Sequence, residues 1–318
     1  MIDKKLTFGR DDMDFKQLKY FARIVELESI TAAAQSLFVA QPSISQHLAN
    51  LEAELGVKLL NRGVRGARPT PAGELLYQYA KTILRQIDEA TVVVKQESTD
   101  PTGHITLGLP TSTSKMVAVE LLTELTSKYK QISVEIVEGA TADLAEMVAK
   151  QTLDITVGVD IQESNKFDIY PLLIEELLLI GPASSPLGHL PTLEQLCMMP
   201  LILPSFPNSV RVKMERACTE QGLRYSVIAE TAAASVMVGA AREGLAWTIL
   251  PWAALKGENL ELLRCTQIEG ATLQRTLSLC VSKAAISNSA CGVVRDTLAR
   301  LIRQKVERKE WLHVTPIL

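Results

Sequence analysis

The chain has 318 residues, of which 47% are hydrophobic, 22% charged and only 5% aromatic. That length exceeds one ordinary core, and the composition excludes a disordered or fibrous chain. Two or three globular domains with aliphatic cores are therefore expected. The net charge of −3 argues against a broadly basic nucleic-acid binder, but residues 1–97 carry 13 Lys and Arg against 12 Asp and Glu. Within them Lys58, Arg62, Arg65 and Arg68 form an acid-free run, enough for local phosphate contact or simply for a solvated charged loop.

The five cysteines show no Cys-x-x-Cys pairing and the four histidines are scattered. No metal site or cofactor is expected, and most of the thiols are read as reduced and buried. No window approaches the ~20 apolar residues of a membrane span, and no signal peptide is apparent, so the chain reads as cytoplasmic.

In chain order, residues 1–12 are a polar extension. Three helical patterns follow at about 14–27, 31–37 and 42–55. Asp14 and Gln17 have capping-box spacing, and Leu18, Phe21, Ala22 and Val25 make one buried stripe. The second helix carries the small face Ala33, Ala34 and Leu37, with Ser29 or Thr31 as its cap. The third opens at Gln41-Pro42, where proline costs no hydrogen bond. Its apolar side is Ile44, Leu48, Leu51 and Leu55. The opposite side shows Pro42, Gln46, Ala49, Asn50 and Ala53, flanked by Ser43 and Ser45. Such a polar, uncharged face suits base edges in a major groove, where carboxamides pair with adenine and hydroxyls serve either role. Residues 59–70 read as a two-stranded wing whose arginines would lie along phosphates. The competing reading of a trihelical unit is a protein-interaction module; the basic wing favours DNA. Residues 13–70 are thus expected to be a winged helix-turn-helix.

A long amphipathic helix is expected over 71–97, capped by Thr70 and begun by Pro71. Leu76, Tyr79, Ile83, Ile87 and Val94 lie on its stripe, which outruns what a small domain can bury. A partner helix is the simplest cover, with packing on its own chain as the alternative. Residues 98–103 form a hinge. From 104 to 318, strands alternate with helices, implying a mostly parallel sheet. About 215 residues are generous for one sheet, so two lobes are expected: about 104–176 with 277–318, and about 177–276. Hydroxyl residues recur where strands give way to helices: Thr111, Ser112 and Thr113, then Ser205 beside Phe206, then Thr231. Helix N-termini with free N–H groups there would hold a small anion or polar metabolite, or the hydroxyls would simply cap helices.

Ser29-x-Thr31-x-Ala33-Ala34, Ala40-Gln41-Pro42-Ser43-x-Ser45, Leu51-Glu52, Leu60-x-Arg62-x-x-Arg65 and Thr70-x-Ala72-Gly73 together resemble the LysR-type transcriptional regulators. Two positions depart from the common pattern: Gln46 where a basic residue is frequent, and Pro69 before Thr70. Both resemble the subgroup of the nitrogen assimilation control regulators. The resemblance implies a periplasmic-binding-protein-like effector domain with its effector between the lobes. It also implies operator DNA contacts from Thr31, Gln41 to Gln46, Asn50 and the wing arginines Arg62, Arg65 and Arg68. It further implies homodimers or homotetramers paired through the long helix, and RNA polymerase as a partner. No catalytic motif stands in the chain, so no enzyme is expected. A solute-binding protein of a transport system would account for the second half but leave the first 97 residues idle.

Overall fold

The computed structural model describes residues 13–63, 66–95, 101–185, 190–269, 273–286 and 288–317. The extension 1–12, Arg65 and residues 98–100 of the hinge lie outside them. The chain divides into two compact units, 1–98 and 99–318.

In the first unit, α1 (Phe15–Leu27), α2 (Ile30–Ser36) and α3 (Gln41–Leu55) precede a hairpin of β1 (Leu60–Gly63) and β2 (Gly66–Pro69). Asp14 caps α1 through a capping box with Gln17, and Ser29, not Thr31, caps α2. Phe21, Ile24, Ala33, Ile44, Leu48 and Leu51 form the core, closed by Leu59 and Ala67 of the wing. Two glycines are dictated by close approach. A Cβ on Gly66, whose φ is +101°, would sit 2.4 Å from the Glu28 carbonyl oxygen; on Gly73 it would sit 2.0 Å from that of Leu59. The long helix α4 (Pro71–Lys95) follows, its first turn held by the Thr70 hydroxyl, which accepts the Gly73 N–H at 3.0 Å. Leu76, Tyr77, Ile83 and Leu84 pack with Ala80 against Leu18 and Ala22 of α1.

The second unit opens with β3 (Gly103–Leu109), α5 (Thr111–Lys128), β4 (Ile132–Glu138), α6 (Thr141–Ala149) and β5 (Ile155–Val159). β3 lies between β4 and β5 and runs parallel to both. β5 is wholly buried and β3 nearly so, as a sheet covered on both faces requires. β6 (Phe167–Pro182) is one continuous strand that pairs antiparallel with all its neighbours, so the main sheet, expected to be mostly parallel, is parallel only around β3. The elements α7 (Leu193–Cys197), β7 (Leu201–Leu203), α8 (Ser209–Glu220), β8 (Val227–Glu230), α9 (Ala234–Arg242), β9 (Thr248–Pro251) and β10 (Leu263–Thr266) follow. β11 (Gln274–Ser282), α10 (Ser289–Glu307) and β12 (Val314–Pro316) close the chain.

The two lobes share β6. Its first ten residues pair with β11 and β12; from Leu177 onward it pairs with β9 and β10. Between them β6 and β11 carry the chain from one lobe to the other. β11 enters the first lobe at Gln274, three residues ahead of the expected boundary, because Gln274 already pairs with Glu176. Pro171 opposes Ser278 next to a bulge at Leu172, which is how a proline is tolerated inside this strand.

At the crossover lies a buried ion pair. Glu175 and Arg275 are directly opposed in register, with Nε and Nη2 at 2.8 and 2.7 Å from one carboxylate oxygen. The other oxygen accepts the Trp311 indole N–H at 2.9 Å. Among the described residues all five cysteines are unbridged, and four are buried. Burial pushes the Cys280 thiol up to about 12.

Candidate nucleic-acid interface and effector cleft

The first half of α3 presents the surface expected of it. Gln41, Pro42, Ser43, Gln46 and Asn50 are exposed and Ser45 is half-buried, while Ile44 and Leu48 hold the helix to the core. No side chain caps this helix; Pro42 in its first turn has no N–H, and that of Ser43 donates to the Ala40 carbonyl at 2.9 Å. Gln46 Nε2 donates to Asn50 Oδ1 at 2.8 Å, one helical turn away, which leaves the remaining carboxamide edge of Gln46 pointing out. Thr31 is exposed at the start of α2. Phe38, in the turn between α2 and α3, is almost wholly exposed and sits at φ +55°. Sequence reasoning missed it, since nothing local marks that residue as left-handed.

The wing sits beside α3 because Glu52 anchors it. This buried carboxylate accepts the N–H groups of Leu59 and Leu60 at 2.9 and 3.3 Å and pairs with Lys58 at 2.7 Å. Burial would raise its pKa, but Lys58 and the two N–H groups outweigh burial and hold it below the ordinary carboxylate value. A depressed carboxylate stabilises the fold above its unfolded pKa of ~4.3 and loses that contribution as pH falls through the folded value. Glu52→Gln is expected to lower stability at neutral pH by about 2 kcal/mol and to flatten the acid limb of the unfolding profile. Urea titrations of the whole chain from about pH 3 to 7 check this; parallel profiles for the two proteins would refute it. Arg62 is exposed. Arg68 is exposed too but pairs with Glu28 at 3.3 Å, so part of its charge is already answered within the chain.

On α4, Leu76 and Ile83 are half-buried against α1, whereas Tyr79 and Ile87 are exposed, as is Leu75. The Val94 side chain lies outside the described residues.

In the second unit the hydroxyl junctions differ from one another. α5 starts after Pro110 with no side-chain cap, so none of Thr111, Ser112 and Thr113 is spent on capping. Thr111 is exposed, and the Ser112 Oγ lies 3.5 Å from Arg275 Nη2. The Thr113 Oγ1 is buried without a partner. Thr231, by contrast, accepts the Ala233 N–H at 3.1 Å ahead of α9. Ser205 lies after β7, and α8 is capped by Asn208 instead. The exposed ring of Phe206 lies under the Arg211 guanidinium, 5.1 Å away, and Tyr225 lies 5.4 Å from the same group. Arg211 pairs with Glu230 at 3.1 Å, and its Nε is buried without a partner. Arg211 and Arg275 were not singled out in the sequence, because an isolated arginine in a helix or strand carries no pattern.

Among the described residues no group of His, Cys, Asp and Glu is arranged to hold a metal ion, and no helix is long and apolar enough to cross a membrane. A winged helix-turn-helix ahead of a two-lobed α/β domain is the plan of a ligand-responsive transcription regulator. The family model for the bacterial regulatory helix-turn-helix protein, lysR family, matches residues 15–74, and that for the LysR substrate binding domain matches residues 98–303. The chain belongs to the LysR family of DNA-binding transcription regulators with an effector-binding domain.

The nitrogen assimilation regulatory protein nac of Escherichia coli is 30% identical over 94% of this chain and 99% of its own. Its Klebsiella aerogenes counterpart is 31% identical over 94% and 98%. These relatives are transcription regulators, not enzymes. Full-length OxyR from Pseudomonas aeruginosa shares the fold with a TM-score of 0.69 at 20% identity, covering 92% of this chain and 95% of that one. Full-length CbnR complexed with its target DNA gives 0.64 at 21% identity, covering 92% and 99%.

Proposed function

We propose that the exposed half of α3 reads operator bases in a major groove, with Gln41, Ser43, Ser45, Gln46 and Asn50 facing the bases beside Pro42, and Thr31 supporting from α2. Arg62 and Arg68, with Arg65 by its place in the wing, contact phosphates. The observation that carries this reading is the uncharged polar face of α3 next to a basic wing pinned by Glu52. The DNA complex of a protein with this fold supports it. The chain acts as a homodimer or homotetramer paired through α4, communicates with RNA polymerase and has no catalytic role. The effector is a small anion or polar metabolite held between the lobes by Thr111, Ser112, Thr113, Ser205, Phe206 and Thr231. The uncapped start of α5 supports this, since its N–H groups and dipole favour negative charge.

Gln46→Ala is expected to weaken operator binding by about 1–3 kcal/mol while leaving binding to random DNA nearly unchanged. Arg62→Ala is expected to weaken both and to reduce the salt slope by about 0.9. Anisotropy titrations over a salt series separate the two roles. Equal losses on operator and random DNA for Gln46→Ala would remove the base-reading role. An unchanged slope for Arg62→Ala would remove the phosphate contact.

A further inference from the structure

Among the described residues one ion pair joins the two lobes away from the crossover strands' own hydrogen bonds. Asp160 directly follows β5 in the first lobe, at φ +49°. Its N–H donates to the Thr276 carbonyl at 2.9 Å, and its Oδ1 accepts the Thr276 N–H at 2.9 Å. Its Oδ2 lies 3.0 Å from Nζ of Lys213. Lys213 stands on α8, which belongs to the second lobe through Val210, Met214 and Cys218 in the core beneath β7. Both charged side chains are roughly two-thirds buried, at 28% and 31% exposure. Lys213 flanks the apolar stripe of its helix and reaches out of its own lobe.

The surroundings place this pair beside the groups assigned to the effector. Thr276 follows Arg275, which reaches Ser112 at the start of α5, and α8 is the helix whose entry loop carries Ser205 and Phe206. Asp160 thus has one oxygen committed to β11 and the other to the opposite lobe.

We propose that Asp160–Lys213 is a closure across the effector cleft, and that the effector is a carboxylate that takes the place of Asp160 on Lys213; this rests on the reading of the cleft as the effector site. A partly exposed pair biases closure by about fivefold, within reach of a competing ligand. A ligand moves such an equilibrium only by its differential affinity for the two states. A neutral ligand gains only a hydrogen bond from a freed ammonium. An anion gains the whole interaction, and it cannot share Lys213 with Asp160 without placing two carboxylates side by side.

The test uses the full-length chain. Hydrogen exchange without ligand is followed in residues 209–220 for the wild type, Asp160→Asn and Lys213→Gln. Each variant is expected to exchange faster in α8. Asp160→Asn keeps an acceptor for the Thr276 N–H, so it isolates the bond to Lys213. Acetate, succinate and citrate are then titrated by calorimetry, with succinamide as the neutral control. At least one acid is expected to bind Asp160→Asn about fivefold more tightly than wild type, and Lys213→Gln not at all.

Unchanged exchange in both single variants overturns the closure. Equal acid affinity in wild type and Asp160→Asn overturns the competition while leaving the cleft as effector site. No binding of any of the three acids to Asp160→Asn overturns the carboxylate assignment. Acid binding that survives Lys213→Gln but is lost in Ser112→Ala removes Lys213 from the site and retains the hydroxyl junction.

Discussion

A chain carrying Arg275→Met is expected to lose about 3–5 kcal/mol of stability in its C-terminal unit, a drop in melting temperature on the order of 10 °C. The cause is the charge left behind. Glu175 is 1% exposed, and without Arg275 only the Trp311 N–H would answer its carboxylate. A buried ion pair contributes little over well-packed apolar groups, but half of one is costly because nothing replaces the lost hydration. Arg275→Met combined with Glu175→Gln is therefore expected to recover most of the loss, since the carboxamide oxygen still accepts from Trp311. Calorimetry of both variants decides the point. A single variant as stable as wild type, or a double variant no better than the single, would show that the pair carries no such load. The pair lies where β6 and β11 pass between the lobes, so the single variant is also expected to weaken any response to effector.

On the proposed pairing through α4, Ile87→Asp is expected to dissociate the dimer and with it to reduce operator affinity by about 10²–10⁴-fold, because two linked half-site contacts become independent. Ile87 suits the test better than Ile83. Ile83 packs against α1 within its own chain, so a charge there would disturb the DNA-binding domain itself. Ile87 is 41% exposed within the chain, so Asp there costs the isolated protomer little. Sedimentation equilibrium beside operator titration checks both effects. An intact dimer would place the subunit contact away from this stretch of α4. A dissociated protein with full operator affinity would sever the link between pairing and binding.

Much of the first unit is legible in the residues alone. The capping box of Asp14 and Gln17, the proline at the start of α3 and the Thr70–Pro71 start of α4 act within three or four residues, and each appears in the structure at the expected place. The apolar stripes of α1 and α3 follow from helical period, and the same period leaves Gln46 and Asn50 on the outer face. Less of the second unit could be read. Pro171 and the acids Glu175 and Glu176 within β6 carry no strand signal of their own. Each is accommodated by something distant: Pro171 by a bulge against β11, Glu175 by Arg275 and Trp311, Glu176 by Gln267.

The sequence by itself determined where helices begin and end, which faces are apolar, and that a polar, uncharged helix would lie beside a basic hairpin. These follow from interactions between near neighbours, whose spacing is printed in the chain. Only the tertiary structure decided which charged groups meet. Arg275 finds Glu175 a hundred residues away because β6 and β11 run antiparallel in one register, and Lys213 finds Asp160 because α8 and the end of β5 come together across the lobes. No periodicity encodes such pairs. They depend on strand order and lobe placement, which the packing of the whole domain sets, and the contacts that would switch this regulator are of that kind.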